Sequence, residues 1–93
     1  MEVNFKSFRV FFNLSKTEFK DLDIRENFSD QIIKYATGVA GYDLAMRIYK
    51  SEESVEITER DIEVIKSIYP YMKTLFVFSM EELLKRMLDE NKE

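Results

Sequence analysis

Cysteine, histidine and tryptophan are absent from this sequence, and it has only one proline and two glycines. Without cysteine there is no disulfide framework and no thiolate zinc site. Without histidine the chain lacks the commonest general base and the commonest metal ligand, so Ser-His and Cys-His nucleophiles are impossible. The two glycines, Gly38 and Gly41, cannot form a glycine-rich phosphate loop. Acid–base chemistry would fall to carboxylates, and no pair of them stands apart from the general acidic background. The expectation is a protein that is not an enzyme and needs no cofactor or metal.

Long apolar runs are also missing. The longest is Leu75-Phe76-Val77-Phe78, against the roughly 20 residues that span a bilayer. The start, MEVNFKSF, lacks the charged-then-apolar pattern of a signal peptide. These absences predict a soluble cytoplasmic protein with no membrane partner. Basic surplus is missing too: net charge is −4. Residues 1–50 carry eight Lys/Arg against seven Asp/Glu, and residues 51–93 carry six against eleven. Duplex-binding proteins show a basic footprint, and the second half of this chain would repel phosphate.

What is present is enough apolar sequence, 45%, for one modest core, so residues 1–93 read as a single domain. The longest stretch of consistent period is Asn27–Lys50. Phe28, Ile32, Tyr35, Val39, Tyr42, Met46 and Tyr49 recur at spacings of four and three, which is one face of a helix. A second apolar line runs Ile33, Ala36, Ala40, Leu44 and Ile48, with Asp43 and Arg47 on a polar ridge between them. A helix apolar on two sides is buried on two sides. The in-phase line across both glycines predicts one continuous central helix, about 27–50, capped by Asn27. The rival is a break near Thr37 with a restart after Gly41.

Upstream, Val3–Leu14 reads as a strand whose apolar parity switches near Lys6-Ser7. Leu14–Thr17 reads as a turn and Glu18–Arg25 as the returning strand, although Ser15-Lys16-Thr17-Glu18 also has the form of a capping box. A lone hairpin is marginal in water and needs a helix beneath it. Downstream, Val55–Ile57 reads as a short third strand beside the hairpin. Thr58 caps a helix with Ile62, Ile65, Ile68 and Tyr69 inward, and Pro70 ends it. From Tyr71 a further helix carries Met72, Phe76, Met80, Leu83 and Met87 on one stripe. The competing parse makes Thr74–Phe78 a strand with Ser79 as the next cap. The polar tail from Asp89 is expected to fray. The fold class is α+β: an N-terminal β-hairpin packed on a layer of three α-helices, with the long helix in the middle.

The order LDIRENF, then a helix ending DLAMRIYK, then VEITERDIEVIKSI resembles a group of small uncharacterised proteins of bacteriophages, prophages and other bacterial mobile elements. They share a helix ending in a Leu-Ala…Ile-Tyr pattern, a short acidic connector and an amphipathic helix. The resemblance covers roughly residues 20–88 and implies no activity and no functional residue.

Three features compete for a functional reading. Tyr35, Tyr42 and Tyr49 recur every seven residues, and tyrosine suits interfaces because its ring buries while its hydroxyl stays wet. Beside them Gly38, Gly41 and Ala45 form a small-residue line that another backbone could approach. These six residues are the candidate interface, although core burial is the default for such a stripe. The acidic run Glu52, Glu53, Glu56, Glu59, Asp61 and Glu63 lacks calcium-loop spacing and reads as a solvated connector. Phe11 and Phe12 with Arg9, Lys16 and Lys20 put aromatics among cations, as single-strand binders do, but Glu18, Asp21 and Asp23 interleave. The expected function is a small protein–protein interaction module that self-associates as a homodimer or other homo-oligomer. The alternative is a nucleic-acid-binding accessory protein using the hairpin.

Overall fold

The computed structural model describes residues 1–90, with side chains as far as Met87. In chain order the elements are β1 (Glu2–Val3), β2 (Phe8–Phe11), β3 (Phe19–Leu22), α1 (Arg25–Tyr35), α2 (Gly38–Lys50), β4 (Val55–Glu56), α3 (Glu59–Ser67), a 3-10 turn (Tyr69–Tyr71) and α4 (Thr74–Glu90). The α+β class and the hairpin packed on helices are as expected. The helical layer has four α-helices among the described residues, not three. The part of the polar tail beyond Glu90 lies outside the described residues. No described helix is long and apolar enough to cross a membrane.

The parity switch near Lys6-Ser7 is a change of sheet. A turn closed by the Ser7 N–H on the Asn4 carbonyl (3.3 Å) separates β1 from β2. β2 pairs with β3 in an antiparallel hairpin, with Phe8 opposite Leu22 and Phe11 opposite Phe19. β4 does form, but it pairs with β1 (Glu2 opposite Glu56, Val3 opposite Val55) and not with the hairpin. The Ile57 N–H extends that ribbon to the Met1 carbonyl at 2.7 Å. Each ribbon is too short to stand alone. Phe5 sits between them, stacked on Phe8 and tilted against Phe28, and Phe76 of α4 closes the cluster on Phe8 and Phe28, each at 5.5 Å between ring centroids.

The continuous central helix is corrected. The chain leaves helical geometry at Ala36 (φ −78°, ψ 161°) and Thr37 (φ −115°, ψ 144°), and α2 begins at Gly38. Helix α1 also begins at Arg25, so Asn27 lies in its first turn and is not the cap. The break explains why the stretch reads as apolar on two sides. The first line is buried in α1 (Phe28, Ile32) and exposed in α2 (Val39, Tyr42, Tyr49). The second line does the opposite: Ile33 is exposed in α1, while Leu44 and Ile48 are fully buried in α2. Each helix is therefore a one-sided amphipathic helix, and the chain turns over between them. Two backbone features permit the turn. Gly38 has φ +79°, the left-handed region that side chains disfavour. At Gly41, a Cβ would lie 2.8 Å from the Cβ of Ala36, so glycine lets the first turn of α2 close onto the end of α1.

The later elements follow the sequence in order, but α3 ends at Ser67, ahead of Pro70, and the last helix begins at Thr74 and not at Tyr71. Thr58 caps α3 through its side chain, Ile62, Ile65 and Ile68 are buried, and Pro70 sits in the first positions of the 3-10 turn. Thr74–Phe78 is helical, and α4 buries Met80 and Leu84 with Phe76, Leu83 and Met87 packed against the core. Ser79 is not a cap. It lies inside α4, buried, donates to the Leu75 carbonyl (2.8 Å) and accepts the Phe11 N–H (2.9 Å). One serine thereby satisfies a donor on the outer edge of β2, which would otherwise be left open against the helix.

The joint between α1 and α2 yields a comparison. Gly41→Ala forces the Ala36 side chain and the helix apart and should destabilise by roughly 1–3 kcal/mol. Gly38→Ala has open space and should cost only the left-handed backbone penalty, roughly 1–2 kcal/mol. Urea titration of both variants checks this. A Gly41→Ala variant as stable as the parent would remove the close-approach account.

Candidate interaction surface

The six residues of the candidate interface are distributed by the break. Tyr35 is half-buried at the end of α1, its ring stacked on Tyr71 at 4.6 Å with the planes 1° apart. Gly38 is exposed and makes the turn; Gly41 and Ala45 are buried against α1 and the core, so neither faces solvent. Tyr42 and Tyr49 are brought together on the outer side of α2, 61% and 54% exposed. The small-residue line is thus filled from within this chain, by Ala36 at Gly41 and by core packing at Ala45.

Val39, 81% exposed, and the partly exposed Met46 complete the outer face. Val39, Tyr42, Met46 and Tyr49 are spaced three, four and three. That is the seam that helices use to pair with other helices. The two extra members were readable in the sequence as part of the first apolar line. What could not be read was which line α2 buries. Asp43 and Lys50 flank this seam, both exposed.

Next to the seam stands a polar joint that spacing alone did not reveal. Arg47 donates from Nε to Asp43 Oδ2 (2.9 Å), an i,i+4 pair along the polar ridge of α2. The same guanidinium also donates to the Glu56 carbonyl (2.9 Å) and to Asp61 Oδ1 (2.7 Å). Asp61 is only 4% exposed, and its Oδ2 accepts the Thr58 N–H (2.9 Å). One side chain therefore ties α2 to β4 and to the start of α3. Burial alone would raise the Asp61 pKa, but the hydrogen bonds from Arg47 and Thr58 outweigh it, and the net direction is down. Of the acidic run, Asp61 alone acquires this buried role; Glu52, Glu53, Glu56, Glu59 and Glu63 are exposed.

The hairpin also exposes apolar side chains: Phe12 and Phe19, on opposite faces and each 48% exposed, and Leu14 at the turn. Two of its three cations are engaged, and Lys20 is in no ion pair among the described residues. Arg9 pairs with Asp21 across the strands (3.0 Å) and lies 4.1 Å over the Phe19 ring. Lys16 pairs with Glu82 of α4 (3.1 Å). An open groove of about 1150 Å³ runs between β2 and the second half of α4. Its floor holds Ser79, whose hydroxyl is already used twice, and its rim mixes Arg9, Lys16, Asp21 and Glu82. The Tyr69 hydroxyl is pushed up by burial and then by the Glu81 charge, so it stays protonated. Among the described residues no group of three or more Asp or Glu is placed to hold a metal ion.

Two expected outcomes follow from the polar joint. Arg47→Met leaves Asp61 buried and half-partnered, and should cost roughly 2–4 kcal/mol. Asp43→Asn removes only an exposed pair and should cost less than about 1 kcal/mol. Equal effects in urea titration would show that Asp61 does not depend on Arg47. The second concerns pH. Asp21 is lowered by its hydrogen bond to Arg9, Asp23 is lowered to about 2 by Arg25, and Asp61 is lowered as above. A carboxylate whose folded pKa is depressed adds stability above its unfolded value of roughly 4. That stability is lost as pH falls through the folded values. The urea midpoint should hold from about pH 7 to 5 and drop between about pH 4 and 2; a midpoint flat to pH 2 would contradict the assignment.

Comparisons of this chain with protein-family profiles, with curated proteins and with solved structures return no match.

Proposed function

We propose that this chain is a small non-enzymatic protein–protein interaction module that self-associates through the outer face of α2. The observation that carries the reading is the exposed seam of Val39, Tyr42, Met46 and Tyr49 at helix-pairing spacing. Tyrosine supplies large buried area at low side-chain entropy cost and keeps a hydroxyl for water or a partner. A second copy fits this seam. Asp43 and Lys50 lie on the same flank with opposite charge, so an antiparallel pairing brings Asp43 of one copy and Lys50 of the other to the same side.

A nucleic-acid role for the hairpin has less behind it. Arg9 and Lys16 are already neutralised by Asp21 and Glu82, and a binder needs its cations free to replace counterions.

Sedimentation of the full chain over a wide concentration range tests the reading. Self-association is expected, and Tyr42→Ser with Tyr49→Ser should weaken it at least about tenfold, as loss of central interface aromatics does. A parent that stays monomeric at the highest concentration, or a double variant that associates as well as the parent, would reject the α2 seam.

A further inference from the structure

We infer that β3 is a second self-association element: its open edge pairs antiparallel with β3 of another copy, in a register centred on Phe19. The contact uses a different surface from the α2 seam and stands without it. The hairpin ladder determines which groups are available. The Phe12 N–H donates to the Glu18 carbonyl at 2.9 Å, so the 12–18 pair is hydrogen-bonded, and with it the 10–20 and 8–22 pairs. The alternate residues, Phe19 and Asp21 on β3, therefore turn their backbone N–H and C=O groups to the outer edge. On β2 the outward residues are Arg9 and Phe11, and the Phe11 N–H is taken by Ser79 of α4, which lies along that edge. Among the described residues no strand pairs with the outer edge of β3, and Phe19, Lys20 and Asp21 are all exposed.

Charge selects the register. Centring the pair on Lys20 sets Lys20 opposite its own copy, and centring it on Asp21 sets Asp21 opposite its own copy; like charges directly opposite are destabilising. Centring on Phe19 sets Phe19 against Phe19 of the second copy and places Glu18 opposite Lys20 twice, once on each side of the two-fold axis. Neither Glu18 nor Lys20 is in an ion pair among the described residues. On one face the pairing also continues an aromatic row. Phe11 already meets Phe19 edge-on at 6.2 Å, and the second copy adds its own Phe19 and Phe11. The result is a four-stranded sheet in the order β2–β3–β3–β2, in which the open edges of two hairpins cover each other.

The test uses the full chain carrying Tyr42→Ser and Tyr49→Ser, so that the α2 seam contributes nothing. In that background Glu18→Lys and Lys20→Glu each place like charges opposite one another and should each weaken self-association at least about tenfold. Mixing the two variants should restore it, because the lysine-rich edge of one meets the glutamate-rich edge of the other. The resulting heterodimer should weaken with added salt. Sedimentation with one partner carrying a fluorophore separates heterodimer from homodimer, and urea midpoints close to the background confirm that both variants fold. The inference is overturned if either charge variant self-associates as the background does, or if the mixture forms no more complex than the variants alone. Rejection of the α2 seam is read separately, from the tyrosine variants compared with the parent.

Discussion

The turn at Ala36-Thr37-Gly38 is the constraint on which the rest of the structure depends. A straight helix from residue 25 to 50 would present one apolar line throughout, and half of its length could not reach the core. Breaking it lets Phe28 and Ile32 of α1 and Leu44 and Ile48 of α2 face the same interior although they belong to different helical lines. The break needs a left-handed residue at Gly38 and a missing Cβ at Gly41. The only two glycines of the chain are thus both spent on one joint. The same turn drives Val39, Tyr42 and Tyr49 outward.

With the central stretch folded into two helices, the short strands and α3 are held by a few multiply bonded polar groups. Arg47 reaches a side chain on its own helix, a β4 carbonyl and a buried carboxylate on α3. Arg25 does similar work at the other end, pairing with Asp23 and donating to the Ser51 carbonyl just after α2. Ser79 joins α4 to the β2 edge. Hydrogen bonds of this kind add modest net stability when made and cost more when broken, so they specify arrangement more than they supply driving force. The driving force comes from the aliphatic core and the Phe5, Phe8, Phe28 and Phe76 cluster.

Local chemistry was legible in the sequence wherever one residue type has one strong preference. Thr58 as a cap, the presence of the hairpin and the stripe of α4 read correctly, whereas the helix before Pro70 already ends at Ser67 and the hairpin strands are shorter than read, Phe8–Phe11 and Phe19–Leu22. The errors have separate causes. The line through Tyr35, Tyr42 and Tyr49 keeps its period across the turn by coincidence of spacing, and periodicity cannot distinguish one helix from two that use opposite lines. Strand β4 was visible, but its partner was not, because a two-residue ribbon carries no register signal. Asp61 looked like one more acid in a solvated run, since its burial depends on Arg47, fourteen positions away.

The two proposed contacts have a joint consequence that follows from symmetry. Each is isologous: α2 meets α2, and β3 meets β3. A protomer with one such contact closes into a dimer, while a protomer with two at separate places joins a neighbour at each and forms an open chain unless the axes happen to close a ring. The charge distribution bears on how far such chains grow. Residues 51–93 carry eleven acids against six bases, so successive copies accumulate negative charge and self-repulsion opposes long assemblies at low salt. Added salt relieves that repulsion while it weakens the Glu18–Lys20 pairs. Salt screens the Asp43–Lys50 pairing of the α2 seam as well, but the seam rests mainly on apolar side chains and the β3 register on charge, so the β3 edge is the more salt-sensitive of the two contacts.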